Sequence, residues 1–274
     1  MTRQKILGAE TVVIKMGTTS LTHANGTLNL RKLDQLAMVL TDLENSGKRM
    51  VLVSSGAIGC GMSRLGLADR PTTLEGKQAT ASVGQGLLME IYSKLFDAYH
   101  QTVGQILLTK DVFKHSIKRT NAINTFKALK ERRVIPIVNE NDCIATDEIQ
   151  EECFGDNDIL SAMTADIVAA DLLIILSDVD GLYDANPNEK ADAKLVKAVE
   201  VIDNKIMASA GSSGSSLGTG GMITKIGAAK YATERGIDTI IASGDDVRIV
   251  YDILEGREVG THFLARKVQE VQDV

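Results

Sequence analysis

The feature that most constrains the fold of this chain is a set of short runs rich in Val, Ile and Leu that do not alternate with polar residues. They are "TVVIKM" (11–16), "RMVLVS" (49–54), "VGQILL" (103–108), "RVIPIVN" (133–139), "LLIILS" (172–177) and "DTIIAS" (238–243). A strand with one wet face alternates apolar and polar residues, whereas a strand covered on both faces does not, and continuous runs of this length point to a parallel sheet between two helical layers. Helical periodicity fills the gaps. Leu33, Leu36, Ala37, Leu40 and Leu43 form one stripe, with Asn29 placed to cap the start and Gly47 to follow the end. Met222, Ile226, Ala229 and Ala232 form another, ending at Gly236, and residues 76–99 and 157–170 are also helical in pattern. Strand alternating with helix predicts an α/β layered fold with a mostly parallel sheet. With 274 residues, 44% of them hydrophobic, the chain can bury a normal core as one large or two small domains.

Several function classes fall away. The formal net charge is −6, and no dense Lys/Arg block appears, so no nucleic-acid partner is expected. The basic residues of "KRTNAINTFKALKERR" (118–133) sit at mixed helical positions and read as a solvated face. Cys60, Cys143 and Cys153 form no CxxC and are odd in number, which argues against a disulfide framework or a zinc site and for buried or idle thiols in a reducing cytoplasm. The N-terminus lacks the apolar core of a signal peptide, and no apolar run approaches the ~20 residues needed to span a bilayer. His23, His100, His115 and His262 make no HExxH and no visible nucleophile–base pair.

In open α/β sheets ligands collect beyond the carboxyl ends of the strands, so the strand exits carry the functional information. They read "IKMGTTS", "SSGAIGCG", "NENDCIAT" and "SDVDGLYDANP", all Gly-rich or polar. "SSGAIGCGMSRLG" has the wrong glycine spacing for a dinucleotide fingerprint and lacks the later acidic residue; Ser55 with backbone N–H groups at a helix start, facing a carboxylate or phosphate, is the better reading. "DVDGLYDANPNE" fails as a calcium loop at Leu182 and Tyr183, which leaves Asp178 at a strand exit, free to contact a ligand. Asp156, Asn157 and Asp158 open a helix; capping explains one of them, and three invite a second role such as holding ammonium groups or an amino acid. Lys225 falls in the first turn of a helix, where the dipole disfavours a cation. An exposed lysine snorkelling to water would relieve that conflict, as would an anion held between Lys225 and the amides of Gly220 and Gly221. The Walker pattern is absent. "SSGSSL" (212–217) reads as a linker leading into a different phosphate loop, "GTGGMITK" (218–225).

Together "VVIKMGTTSLT", "VLVSSGAIGCG", "GKQATASVGQGLLM", "VIPIVNENDCIAT", "FGDNDILSAMTA", "LSDVDGLYDANP" and "GTGGMITKIGAA" resemble the amino acid kinase family, and within it the members that phosphorylate the γ-carboxylate of L-glutamate; the resemblance runs from about residue 10 to about 264. It implies a three-layer α/β/α sandwich forming a single domain over 1–274, with about 1–165 binding glutamate and about 166–274 binding ATP. Lys15 and Lys225 would contact the transferred phosphoryl group and the nucleotide phosphates, with Asp158 orienting both. Ser55, Asp142 and Asn157 would bind glutamate. Ser177 and Asp178 would lie against the nucleotide, and Thr219, Gly220, Gly221, Met222, Ile223, Thr224 and Lys225 would wrap its phosphates. Mg²⁺ would accompany ATP, with no dedicated protein metal site. The chain stops at Val274, too early for the C-terminal PUA domain of many relatives. A homodimer or homotetramer in the cytoplasm, feedback inhibition by L-proline near "LADRPTTLEGKQ" (67–78), and handover of the product to the next enzyme of proline synthesis are further implications. Kinases for N-acetylglutamate or aspartate are the nearest alternatives. A non-catalytic sensor should lack the pair Lys15 and Lys225, and both are present.

Overall fold

A computed structural model describes residues 3–23, 27–144, 157–187, 190, 192–204, 206–207 and 221–266. Eight strands form one sheet: β1 (Thr11–Met16), β2 (Arg49–Ser54), β3 (Val103–Leu108), β4 (Ile135–Glu140), β5 (Leu172–Ser177), β6 (Ala198–Val199), β7 (Asp238–Ser243) and β8 (Thr261–Phe263). Their order is β3-β4-β2-β1-β5-β7-β8-β6, and every pairing is parallel except β7 with β8. The mostly parallel α/β sandwich expected from the sequence is therefore present. Among the described residues the helices are α1 (Gln4–Leu7), α2 (Thr18–Leu21), α3 (Leu30–Asn45), α4 (Ala57–Leu65), α5 (Leu74–Asp97), α6 (Asp111–Lys114), α7 (Ser116–Glu131), α8 (Asn157–Ile167), α9 (Met222–Thr233) and α10 (Ile249–Leu254).

Two hydrophobic cores, one per face of the sheet, explain the unbroken apolar strands. Val12, Ile14 and Met16 of β1 pack with α3 and α5 residues such as Leu36, Leu40, Leu88 and Tyr92. Val13 faces the other way, into a core with Ile159, Ala162, Ile226 and Ala229 of α8 and α9. Because neighbouring residues of a strand point to opposite faces, this alternation fixes which helical layer each strand-end side chain will meet.

The structure trims several sequence-derived boundaries. β4 begins at Ile135 rather than 133, since Arg133 adopts a left-handed φ of 55° that ends the preceding turn. α8 stops at Ile167, two residues before Ala169 at φ 48°, and α9 stops at Thr233, ahead of Gly236 at φ 81°. β6 and β8, two and three residues long, were not expected. The expected cap on α3 is present: the Asn29 side chain accepts from the Lys32 amide. The exposed basic face of α7 also matches expectation, with Phe126 its one fully buried side chain.

Of the glycines of "GAIGCG", Gly61 serves helix packing. Gly56, at φ 111°, makes the turn into α4, but Gly61 lies inside the helix, where a Cβ would stand 1.9 Å from the Thr80 carbonyl oxygen of α5. Across the same contact, a Cβ on Gly84 would stand 1.7 Å from the Ala57 carbonyl oxygen. These two glycines let α4 and α5 touch backbone to backbone directly behind the exit of β2.

Candidate active site

The sheet order changes direction at β1, whose neighbours are β2 and β5, and such a switch point opens a crevice at the carboxyl ends of the strands. Lys15 is the penultimate residue of β1 and lies opposite Val53 and Ile175 in register. Strand alternation turns it toward α8 and α9. There its Nζ lies 2.6 Å from Asp158 Oδ1, while Lys225 Nζ lies 3.5 Å from Asp158 Oδ2. Thr224 Oγ1 donates to the same Oδ2 at 2.9 Å. Relative exposures of 0% for Asp158, 2% for Lys15 and 5% for Lys225 show that this is an interior cluster, so the snorkelling reading of Lys225 is not what the structure adopts. Burial opposes ionisation of Asp158, but Lys15, Lys225 and the Thr224 hydroxyl outweigh it and hold the carboxyl below its ordinary range. The dipole conflict at the start of α9 is thus met by a carboxylate of the protein itself, which brings two ammonium groups around one anion.

Asn157, the preceding residue of α8, points instead toward β2 and β4. Its Nδ2 lies within hydrogen-bonding distance of Ser55 Oγ (2.9 Å), Asn139 Oδ1 (2.8 Å) and the Ser54 carbonyl (3.2 Å). Asn139 Oδ1 also accepts from the Glu140 amide at 2.9 Å, and Asn139 Nδ2 donates to Gln85 Oε1 of α5 at 2.8 Å. Behind them Ser54 Oγ and Tyr92 OH share a hydrogen bond of 2.7 Å. Asp142 opens the 3-10 turn Asp142–Ile144 just after β4. Burial, reinforced by Glu140 and only partly opposed by Arg70, pushes its carboxyl up to about 6. A carboxylate raised in this way is short of a positive partner, which makes it a ready acceptor for a ligand ammonium.

The structure thus brings Lys15, Asp158, Thr224 and Lys225 into one cluster and Ser55, Asn157 and Asn139 into its neighbour. Ser177, at the exit of β5, donates to Asp178 Oδ1 at 2.8 Å, and its carbonyl accepts from the Gly244 amide at 2.6 Å. Gly221 precedes α9 in an extended conformation; Met222 is half-buried and Ile223 is exposed. Thr219, Gly220, Asp156 and Cys153, with nearly all of the Gly/Ser segment, lie outside the described residues. Cys60 is a buried thiol pushed up to about 11 by desolvation, as an idle thiol should be, whereas Cys143 is exposed and lies 3.0 Å from Ser82 Oγ. Sequence reasoning missed Asn139 and Gln85. The signal for Asn139 was a polar residue closing a buried apolar run; Gln85 gave none.

Comparison with known proteins places this geometry. Residues 10–243 match the amino acid kinase family. The fold is shared with the UMP kinase of Bacillus anthracis, at a TM-score of 0.62 and 13% identity over 94% of this chain and 96% of that one. It is shared also with the carbamate kinase of Giardia lamblia bound to AMP-PNP, at a TM-score of 0.63 and 16% identity over 94% and 99%. The chain belongs to the amino acid kinase family. Within it, the chain is 49% identical to the glutamate 5-kinase of Clostridium perfringens over 97% of its own length and 99% of the relative's. It is 48% identical to the glutamate 5-kinase of Listeria innocua over 99% of both.

Proposed function

We propose that this chain transfers the γ-phosphoryl group of ATP to the γ-carboxylate of L-glutamate, giving ADP and L-glutamate 5-phosphate, the first step of proline biosynthesis. The observation that carries the reading is the Lys15–Asp158–Lys225 cluster at the switch point of the sheet, in a chain so similar to glutamate 5-kinases over its whole length. The nucleophile is a carboxylate with an ordinary pKa of about 4.3, ionised at neutral pH, so no general base has to act. The protein must instead align two anions and neutralise the charge between them. Lys15 and Lys225 serve as point charges on the phosphoryl oxygens. Asp158, held ionised by its neighbours, positions both ammonium groups and takes no proton.

Among the described residues, Asp158 is already engaged by two lysines and a threonine, and no three His, Cys, Asp or Glu side chains converge. This donor set fits a Mg²⁺ ion carried in on the nucleotide by phosphate oxygens and water. When bound, the ion supplies further neutralisation of phosphate charge.

In this reading the glutamate-binding part spans about 1–165, with Ser55, Asn157 and Asp142 on the substrate and the raised carboxylate of Asp142 taking the α-ammonium. The ATP-binding part spans about 166–274, with Ser177 and Asp178 beside the nucleotide and 219–225 around its phosphates. No described helix is long and apolar enough to cross a membrane, which is compatible with work in the cytoplasm. A homodimer or homotetramer, inhibition by L-proline near 67–78, and direct transfer of the labile acyl phosphate to the next enzyme complete the proposal. Trapping the acyl phosphate with hydroxylamine tests the central reading. With ATP, Mg²⁺ and a panel of glutamate, N-acetylglutamate and aspartate, hydroxamate should form with glutamate; a preference for either other acid would reassign the substrate.

A further inference from the structure

We infer that Gln85 of α5 is a positioning residue for glutamate, acting through Asn139 to hold the amide of Asn157 in its binding orientation. The inference rests on the functional reading above and deepens it. Two backbone groups fix the orientation of the amides. The Glu140 N–H can only donate, so the Asn139 atom 2.9 Å away is its oxygen. The Ser54 carbonyl can only accept, so the Asn157 atom 3.2 Å from it is its nitrogen, which also meets Ser55 Oγ and Asn139 Oδ1. It follows that Asn139 presents its NH₂ to α5, where Gln85 Oε1 accepts it at 2.8 Å.

Asn139 is 3% exposed, so water is a poor substitute for that acceptor. Without Gln85 its NH₂ must either stay unsatisfied or turn over. Turning over sets its NH₂ against the Glu140 N–H and the Asn157 NH₂, which breaks two good hydrogen bonds and releases Asn157 from its partner. Gln85 itself cannot retreat. Its neighbour Gly84 already lies so close to α4 that a Cβ there would stand 1.7 Å from the Ala57 oxygen, so the backbone bearing Gln85 is held against the segment that leads from Ser55. A side chain on the helical layer behind the sheet thereby sets the orientation of a ligand group in front of it.

The test is a double-mutant cycle on the full chain, measuring kcat and both KM values for Gln85→Met, Asn139→Ala and the double variant. Gln85→Met is expected to raise the glutamate KM about five- to tenfold, the cost of one unsatisfied buried donor, with the ATP KM within about twofold of wild type. Asn139→Ala should raise it further, and adding Gln85→Met to that background should change nothing. Gln85→Leu is the companion variant, so that the result does not hang on the packing of one side chain. Gln85→Glu keeps an acceptor of the same shape and should recover most of the loss. An unchanged glutamate KM in both non-accepting variants, an equal rise in both substrates' KM values, or effects that multiply in the double variant would overturn the inference while leaving the functional reading intact. A wild-type enzyme without glutamate-dependent ADP release would overturn the functional reading and this inference together.

Discussion

Asn157 and Asp158 are consecutive residues at the start of one helix, yet they serve two differently built halves of the site. Asp158 faces charge: two ammonium groups and a hydroxyl crowd its carboxylate, and it lies well below the usual carboxylate range. Asn157 faces neutral dipoles, a serine hydroxyl, an amide and a carbonyl, and the carboxylate of Asp142, just after β4, is raised by burial and by Glu140, with Arg70 only partly opposing. In the proposed reading the difference follows from what each half would do. Phosphoryl transfer needs positive charge held in place before the anions arrive. A substrate that brings its own ammonium and carboxylates needs fixed dipoles and one carboxylate with no strong partner.

The comparison can be broken most severely at the charged half. Lys225→Ala or Lys15→Ala should lower kcat about a thousandfold, with the glutamate KM much less affected; single-turnover kinetics showing near-wild-type kcat in either would remove the lysines from the chemistry. The scaffold of the neutral half comes next. Gly84→Ala forces a methyl group into the α4–α5 contact and should cost about 3 kcal/mol, seen as a lower thermal midpoint, with a weakened glutamate site and an unaltered ATP KM. Asp142→Asn should raise the glutamate KM by ten- to a hundredfold at pH 7, about 1.4–2.7 kcal/mol. It should also reshape the pH profile. With Asp142 at about 6, kcat/KM for glutamate in the wild type should fall about tenfold per unit below pH 6 as the carboxylate protonates, and Asp142→Asn should lack that limb. The stability effect has the opposite sign. A folded-state value above the unfolded one means that ionisation between about pH 4 and pH 6 costs stability, so Asp142→Asn should stabilise the unliganded protein modestly above pH 6. The smallest effect is reserved for Thr224→Val, which removes one hydrogen bond from Asp158 and should lower kcat about fivefold, near 1 kcal/mol, without touching the glutamate KM.

Much of this was legible in the chain. The runs at 11–16, 49–54, 103–108, 172–177 and 238–243 are strands with the expected bounds, because burial on both faces leaves a signature that needs no partner to read. β6 and β8 were invisible because two or three residues carry no periodicity. Lys225 was conspicuous through its conflict with the helix dipole, although the anion that resolves the conflict in the structure is Asp158, 67 residues earlier in sequence. Asn157 was visible as an excess of capping residues. Gln85 was not, since a glutamine on a helix acquires meaning only from the strand it meets. Gly61 and Gly84 were unread for the same reason: a glycine inside a helix gains its meaning only when the second helix is in place.

The central position of β1 also bears on how the molecule is made. Its residues pair on one side with 49–54, synthesised soon after, and on the other with 172–177, about 160 residues later. The strand bearing Lys15 therefore waits half-paired while most of the chain is translated, and Lys225 arrives later still. The Lys15–Asp158–Lys225 cluster is among the last things the growing chain can assemble, so on the proposed reading nucleotide binding would report completed folding, whereas α3, α4 and α5 can already be in place.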